Sequence, residues 1–275
     1  MRLFSAICLL VIVLSISALA ADTPVVENSG DGWVNWDRQM IKAVGHGVLP
    51  GDANGPAQAA LMARSAAIAD AYRNLASVVN GVRVTGDTYV KNYVTQSDEV
   101  RLKVEGFIRG AQIVSEKQLS DRSYEVILQI PMDGKSGLVS GLDILPDNTQ
   151  TVATGDGPTG VIIDARGLDV KPGISPKIYD ENGVEVYGTL KVSPDYAIET
   201  GIAAYPRNMD QALKSTRAGN KPLVVKALRR STKSVTDVII NCTDAAKIHE
   251  ADRTTGILGR CRVVIVTGSA ETKAN

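Results

Sequence analysis

Apolar residues recur at three- and four-residue steps through residues 56–79, with Leu61, Ser65, Ile68, Tyr72, Leu75 and Val79 on one side. Arg64, Asp70, Arg73, Asn74 and Ser77 point elsewhere. This spacing predicts an amphipathic helix with Pro56 in its first turn and Asn80-Gly81 at its end. Nine alanines between Ala57 and Ala76 favour the helix and make it thin enough to lie close to a sheet. Before it, residues 33–44 read as one strand with Trp36, Met40 and Val44 on a common parity, and the glycine-rich stretch 45–55 reads as a loop. After it, residues 82–85 suggest a short strand. Ser97 is placed to cap a second helix through Ile108, with Val100 and Val104 on its apolar face. Residues 113–119 and 124–130 then read as paired strands turning at Ser120-Asp121-Arg122. The alternation of Tyr124, Val126, Leu128 and Ile130 is the clearest strand signal in the chain.

Periodicity fades over residues 133–158, which are rich in Gly, Asp, Thr and Ser; this stretch is the candidate linker. A second unit follows at 159–268. Strands are expected at 161–163, 223–228, 235–240 and 262–267, with a hairpin over 177–187 turning at Glu181-Asn182-Gly183. Short helices are expected at 208–216 and, capped by Thr243 or Asp244, at 243–252. Residues 21–32 read as a flexible N-terminus and 269–275 as a frayed tail. The fold class expected is therefore α+β, with two small mixed domains. The first, 33–132, is a small sheet packed on a long Ala-rich helix, and the second is a strand-rich α+β unit.

Composition narrows the class. Met1 and Arg2 precede an uncharged apolar run, and Ala18-Leu19-Ala20 supplies a small-x-small pattern, so residues 1–20 read as a secretory signal peptide cut after Ala20. The 275-residue chain balances 30 Lys+Arg against 30 Asp+Glu, which argues against nucleic acid as a partner. No later segment has the apolar length of a transmembrane helix. The expected location is the periplasm or the exterior. Cys8 falls within the signal segment and Ala21 stands where a lipid-anchored precursor would carry its cysteine. The remaining pair, Cys242 and Cys261, is a disulfide candidate if the apolar segments beside them are neighbouring strands, and two buried thiols otherwise.

No catalytic, cofactor or metal-binding residue is assigned. Gly45-His46-Gly47 lacks the third glycine of a dinucleotide fingerprint, Pro50 standing in its place. Gly134-Lys135-Ser136 lacks the leading glycine of a phosphate loop, which falls at Gln129. His46 and His249, the two histidines, lie far apart and show no metal-ligand spacing. Asp164-Ala165-Arg166-Gly167 after a strand is the most suggestive polar group, readable as a turn, an ion pair or a ligand contact.

The run from Ala57 through Asp70-Ala71-Tyr72-Arg73-Asn74-Leu75 into Gly81-Val82-Arg83-Val84 resembles the signature of the LPP-twenty lipoprotein family. It is also similar to the N-terminal domain of flagellar assembly protein T. Gly106-Phe107-Ile108-Arg109-Gly110 followed by the strand pair fits the same pattern, so the resemblance covers residues 33–132. It implies a small α+β domain in the bacterial envelope, a structural or assembly role with envelope proteins as partners, no cofactor and no catalytic residues. The function expected is a non-enzymatic envelope protein engaged in protein–protein interaction or assembly, flagellum-associated in its narrower form. The alternative is a cell-wall- or carbohydrate-directed enzyme or ligand-binding protein, with Asp164, Arg166 or acids near the linker lining a site between the domains.

Overall fold

The computed structural model describes residues 25–50, 55–120, 123–147 and 152–268. The signal segment with its cut after Ala20, the turn residues Asp121 and Arg122, and the tail 269–275 lie outside the described residues. The fold is α+β. Its first half opens with β1 (Val26–Ser29), β2 (Gly32–Asn35) and β3 (Met40–Gly47), an antiparallel meander. The long helix α1 (Pro56–Asn80) follows, then the short ribbon β4 (Arg83–Thr85) and β5 (Thr88–Tyr89). Helices α2 (Val90–Gln96) and α3 (Asp98–Arg109) lead into β6 (Gln112–Gln118) and β7 (Tyr124–Pro131). Pairing of β7 with both β3 and β6 completes a five-stranded sheet in the order β1-β2-β3-β7-β6.

Three expectations change here. The N-terminal segment 21–32 is not loose throughout: β1 pairs with β2 along four residues, and Glu27 accepts a hydrogen bond from Trp36 Nε1 at 3.0 Å. The single strand at 33–44 is a hairpin. Asn35 Oδ1 accepts from the Arg38 amide at 2.9 Å and Gln39 takes a left-handed φ of 51°, so the chain reverses at 36–39. That reversal resets the parity, and the inward residues of β3 are Ile41 and Ala43 rather than Met40 and Val44. The glycine-rich loop also begins late, because Gly45 and Gly47 belong to β3.

Those two glycines explain how α1 sits. A Cβ on Gly45 would meet Ala71 N at 2.1 Å, and one on Gly47 would meet Ala63 O at 1.9 Å. Strand and helix backbones are in contact, which only glycine against alanine permits. The buried stripe of α1 is accordingly Ala59, Ala63, Ala67, Ala71, Leu75, Val78 and Val79. The predicted helix has its predicted length and its predicted closeness to the sheet; Leu75 and Val79 are buried as expected, while alanines hold the inward positions expected of Leu61, Ser65, Ile68 and Tyr72. Ile68 and Tyr72 pack at the margin, and Leu61 is 66% exposed.

The second half contains β8 (Val161–Asp164), β9 (Ile178–Asp180), β10 (Glu185–Tyr187), α4 (Pro194–Thr200), α5 (Met209–Lys214), β11 (Leu223–Lys226), β12 (Arg229–Arg230), β13 (Val238–Ile240), α6 (Cys242–Thr255) and β14 (Val263–Val266). They form a parallel sheet β11-β8-β14 and a mixed sheet β10-β9-β13-β12. Val161, Ile162 and Ile163 of β8 and all four residues of β14 are buried, which is why these strands read as unbroken apolar runs. The cap of α6 is Asn241, whose Oδ1 accepts from the Asp244 amide at 2.7 Å, not Thr243 or Asp244.

The halves share one hydrophobic core. Trp36 meets Tyr205 edge to face at 5.8 Å, and both are buried. The amides of Ile174 and Ser175 donate to the carbonyls of Arg83 and Val84, and Gly86 N donates to the Thr236 hydroxyl at 3.0 Å. The start of the expected linker is part of this core: Leu138, Val139 and Leu142 are buried, and Gly134 N donates to Ile198 O. Its apolar residues find partners on both sides, so residues 133–147 act as a packed connection rather than a free tether.

Candidate functional site

A concavity opens where the end of the first half meets the second. Its volume is about 470 Å³, and it is lined by Asp133, residues of α4, the Thr216-Arg217 segment and Arg260-Cys261-Arg262. Pro194 begins α4 and Gly201, at φ 76°, ends it, leaving carbonyls of the last turn exposed to a donor. Arg217 fills that role. Its guanidinium donates to the carbonyls of Thr200, of Gly201 at 2.9 Å and of Cys261 at 2.7 Å. Burial pushes the Arg217 guanidinium down from its ordinary value, while Tyr187, Cys261 and Asp133 oppose that shift. Burial likewise raises the Asp133 carboxyl, with Arg217 acting against it.

The opposite wall is a tight turn after α6. Gly256 caps the helix at a left-handed φ of 62°, and Asp252 Oδ1 accepts from the Leu258 amide at 2.8 Å. Arg260 N donates to Gly256 O and Arg262 N to Ile257 O. Cys261 itself holds a φ of 53°, unusual for a residue with a Cβ. The turn thereby fixes Arg260 and Arg262 at the cavity wall. Arg260 lies over the Tyr196 ring at 5.9 Å, and Arg262 Nη1 reaches Thr216 O at 3.5 Å.

The sequence-derived candidates are scattered. Cys242 and Cys261 are free thiols, which corrects the disulfide expectation. The apolar segments beside them are not neighbours, since β13 lies in the mixed sheet and β14 in the parallel one. Cys242 starts α6 and its sulfur accepts from Asn182 Nδ2 at 3.3 Å. Cys261 forms the buried floor of the cavity, and burial pushes its thiol up to about 11, so it is protonated and unreactive near neutral pH. Asp164 and Arg166 pair with each other at 2.8 Å at the end of β8 and are absent from the cavity lining. Arg166 holds the Asp164 carboxyl below its usual range. His46 is exposed, its amide bound to Asp70 Oδ2.

Sequence reasoning missed Arg217, Arg260 and Arg262. The Arg-Cys-Arg triplet just ahead of an apolar strand was a usable signal for the last two. Nothing local marked Arg217, whose partners lie 16 and 44 residues away.

A second feature is the free edge of the five-stranded sheet. Among the described residues β6 pairs with β7 alone, and its register slips between Ile113 and Ser115, leaving Val114 as the extra residue of a bulge. Ile113 and Val114 are 42% and 44% exposed.

Residues 50–131, ending at the last residue of β7, match the family described as LPP20 lipoprotein. The chain carries an LPP20-like segment. Beyond it, residues 160–269 match a second family, Treponema pallidum Tp0624, second domain. The LPP20-like segment supplies α1, β6 and β7, and the Tp0624-like segment supplies all the arginines of the cavity. No curated protein matches the chain. No helix of the described residues is long and apolar enough to cross a membrane.

Proposed function

We propose that this is a non-enzymatic protein of the bacterial envelope that works by binding other proteins. The observation that carries the reading is the exposed edge of β6 within the LPP20-like segment. A strand edge offers unpaired backbone donors and acceptors to an incoming strand. Ile113 and Val114 add apolar contact at that edge. The narrower flagellar form of this reading rests on sequence resemblance alone, and export through residues 1–20 to the periplasm or exterior belongs to the same proposal.

The test compares wild type with Ile113→Lys/Val114→Lys, two changes at exposed positions. Tagged forms of each are cross-linked in intact cells and the captured proteins are identified by mass spectrometry. A defined partner recovered with wild type and lost from the double variant, at unchanged melting temperature, is the expected result. Equal recovery from both forms, or only bulk envelope protein from wild type, sinks the edge as the docking surface.

A further inference from the structure

We infer that the seam cavity is a binding site for a small oxyanionic ligand bearing carboxylate or phosphate groups. Three guanidinium groups line it, against two carboxylates, Asp133 and Glu199. The hydrogen bonds of Arg217 go to three carbonyls, so its charge is held in place without being neutralised by a bonded carboxylate among the described residues. Arg260 and Arg262 form no ion pair among the described residues; one rests on an aromatic face and the other reaches a carbonyl. Cations left this way, on a wall fixed by backbone hydrogen bonds, are the usual recognition elements for planar or tetrahedral oxyanions.

Size and shape agree. A volume of about 470 Å³ falls within the range of small-ligand pockets, roughly 300–1,000 Å³. Arg260 and Arg262 also border an adjoining cavity of about 230 Å³, lined on its other side by residues 155–159. The two arginines thus stand between two hollows and can face a ligand with more than one anionic group. The left-handed Cys261 between them is the kind of backbone strain that clusters at ligand sites. The buried thiol, held protonated, contributes no nucleophile to the site.

The experiment is calorimetric titration of the purified chain with citrate and, separately, pyrophosphate, at fixed ionic strength and with acetate as a control. Saturable binding of at least one of the two is expected, accompanied by a rise in melting temperature. Citrate alone points to carboxylate ligands and pyrophosphate alone to phosphate ligands. Arg260→Gln and Arg262→Gln should each weaken binding about ten-fold, the loss of one charge-assisted contact, while leaving the melting temperature of the free protein unchanged. Lys226→Gln, outside the cavity, should bind as wild type does. Absence of saturable binding at millimolar concentrations, or a double arginine variant that binds as tightly as wild type, overturns the assignment.

Discussion

At the scale of single residues, Cys261 links the seam to the stability of the whole chain. Its thiol is buried beside Tyr187 and Arg217, and burial lifts it from 9.0 to about 11. The folded state therefore favours the neutral thiol. Below pH 9 both folded and unfolded chains hold the proton, and stability is unaffected. Between pH 9 and 11 the unfolded chain ionises first, so stability falls as pH rises, by about 2–3 kcal/mol for a shift of this size. Urea unfolding across that interval should show the loss in wild type and a flatter curve in Cys261→Ala; parallel slopes would place the effect elsewhere. The same residue shows why a cysteine pair is a weak guide. Two cysteines in a chain expected to be exported suggest a bond, yet the sheets that receive their segments keep the two sulfurs apart.

At the scale of elements, existence and extent were legible where local chemistry decided them. Pro56 and Asn80-Gly81 bound α1, Ser97 Oγ accepts from the Val100 amide at the start of α3, and the alternation of β7 places Val126, Leu128 and Ile130 inward. Only the last turns of the inward face of α1, at Leu75 and Val79, were legible. Hydrophobic spacing nominates the larger side chains, but backbone contact with Gly45 and Gly47 admits only alanines there. Helix α2 escaped notice because it is short and follows directly on β5, and α4 because only Ala197 of its seven residues is buried. For α6, the Asn241 side chain both accepts from the Asp244 amide and donates to the Asp244 carboxylate, each at 2.7 Å. Asn241→Ala should destabilise the protein by about 1 kcal/mol, a typical cap loss, read as a lower urea midpoint with an unchanged slope. Thr243→Ala, at a position the sequence also nominated as the cap, should move the midpoint far less.

At the scale of the molecule, the two halves of the described chain behave as one packed body. Trp36 from the first half stacks edge-on against Tyr205 from the second, and backbone hydrogen bonds cross the seam from Ile174 and Ser175 to the β4 ribbon. Calorimetry should accordingly show a single cooperative transition for the chain. Trp36→Ala should lower stability by about 3–5 kcal/mol, the usual cost of emptying a large aromatic site, and should lower it for both halves together. Two separated transitions in wild type would mean that the seam is too weak to couple them.

The sequence by itself determined the α+β class, the LPP20-like first segment and most strand and helix positions, because each depends on propensity, capping and periodicity within a short window. It also exposed Asp164 and Arg166 as polar partners, since they lie two residues apart. Only the tertiary structure decided that alanines hold most of the buried face of α1, that residues 133–147 join a common core, that the cysteines stay apart, and that Arg217, Arg260 and Arg262 converge. Those outcomes turn on the distance of closest approach between backbones and on which strands share a sheet. Both are set by contacts between residues far apart in the chain, and no local pattern carries them.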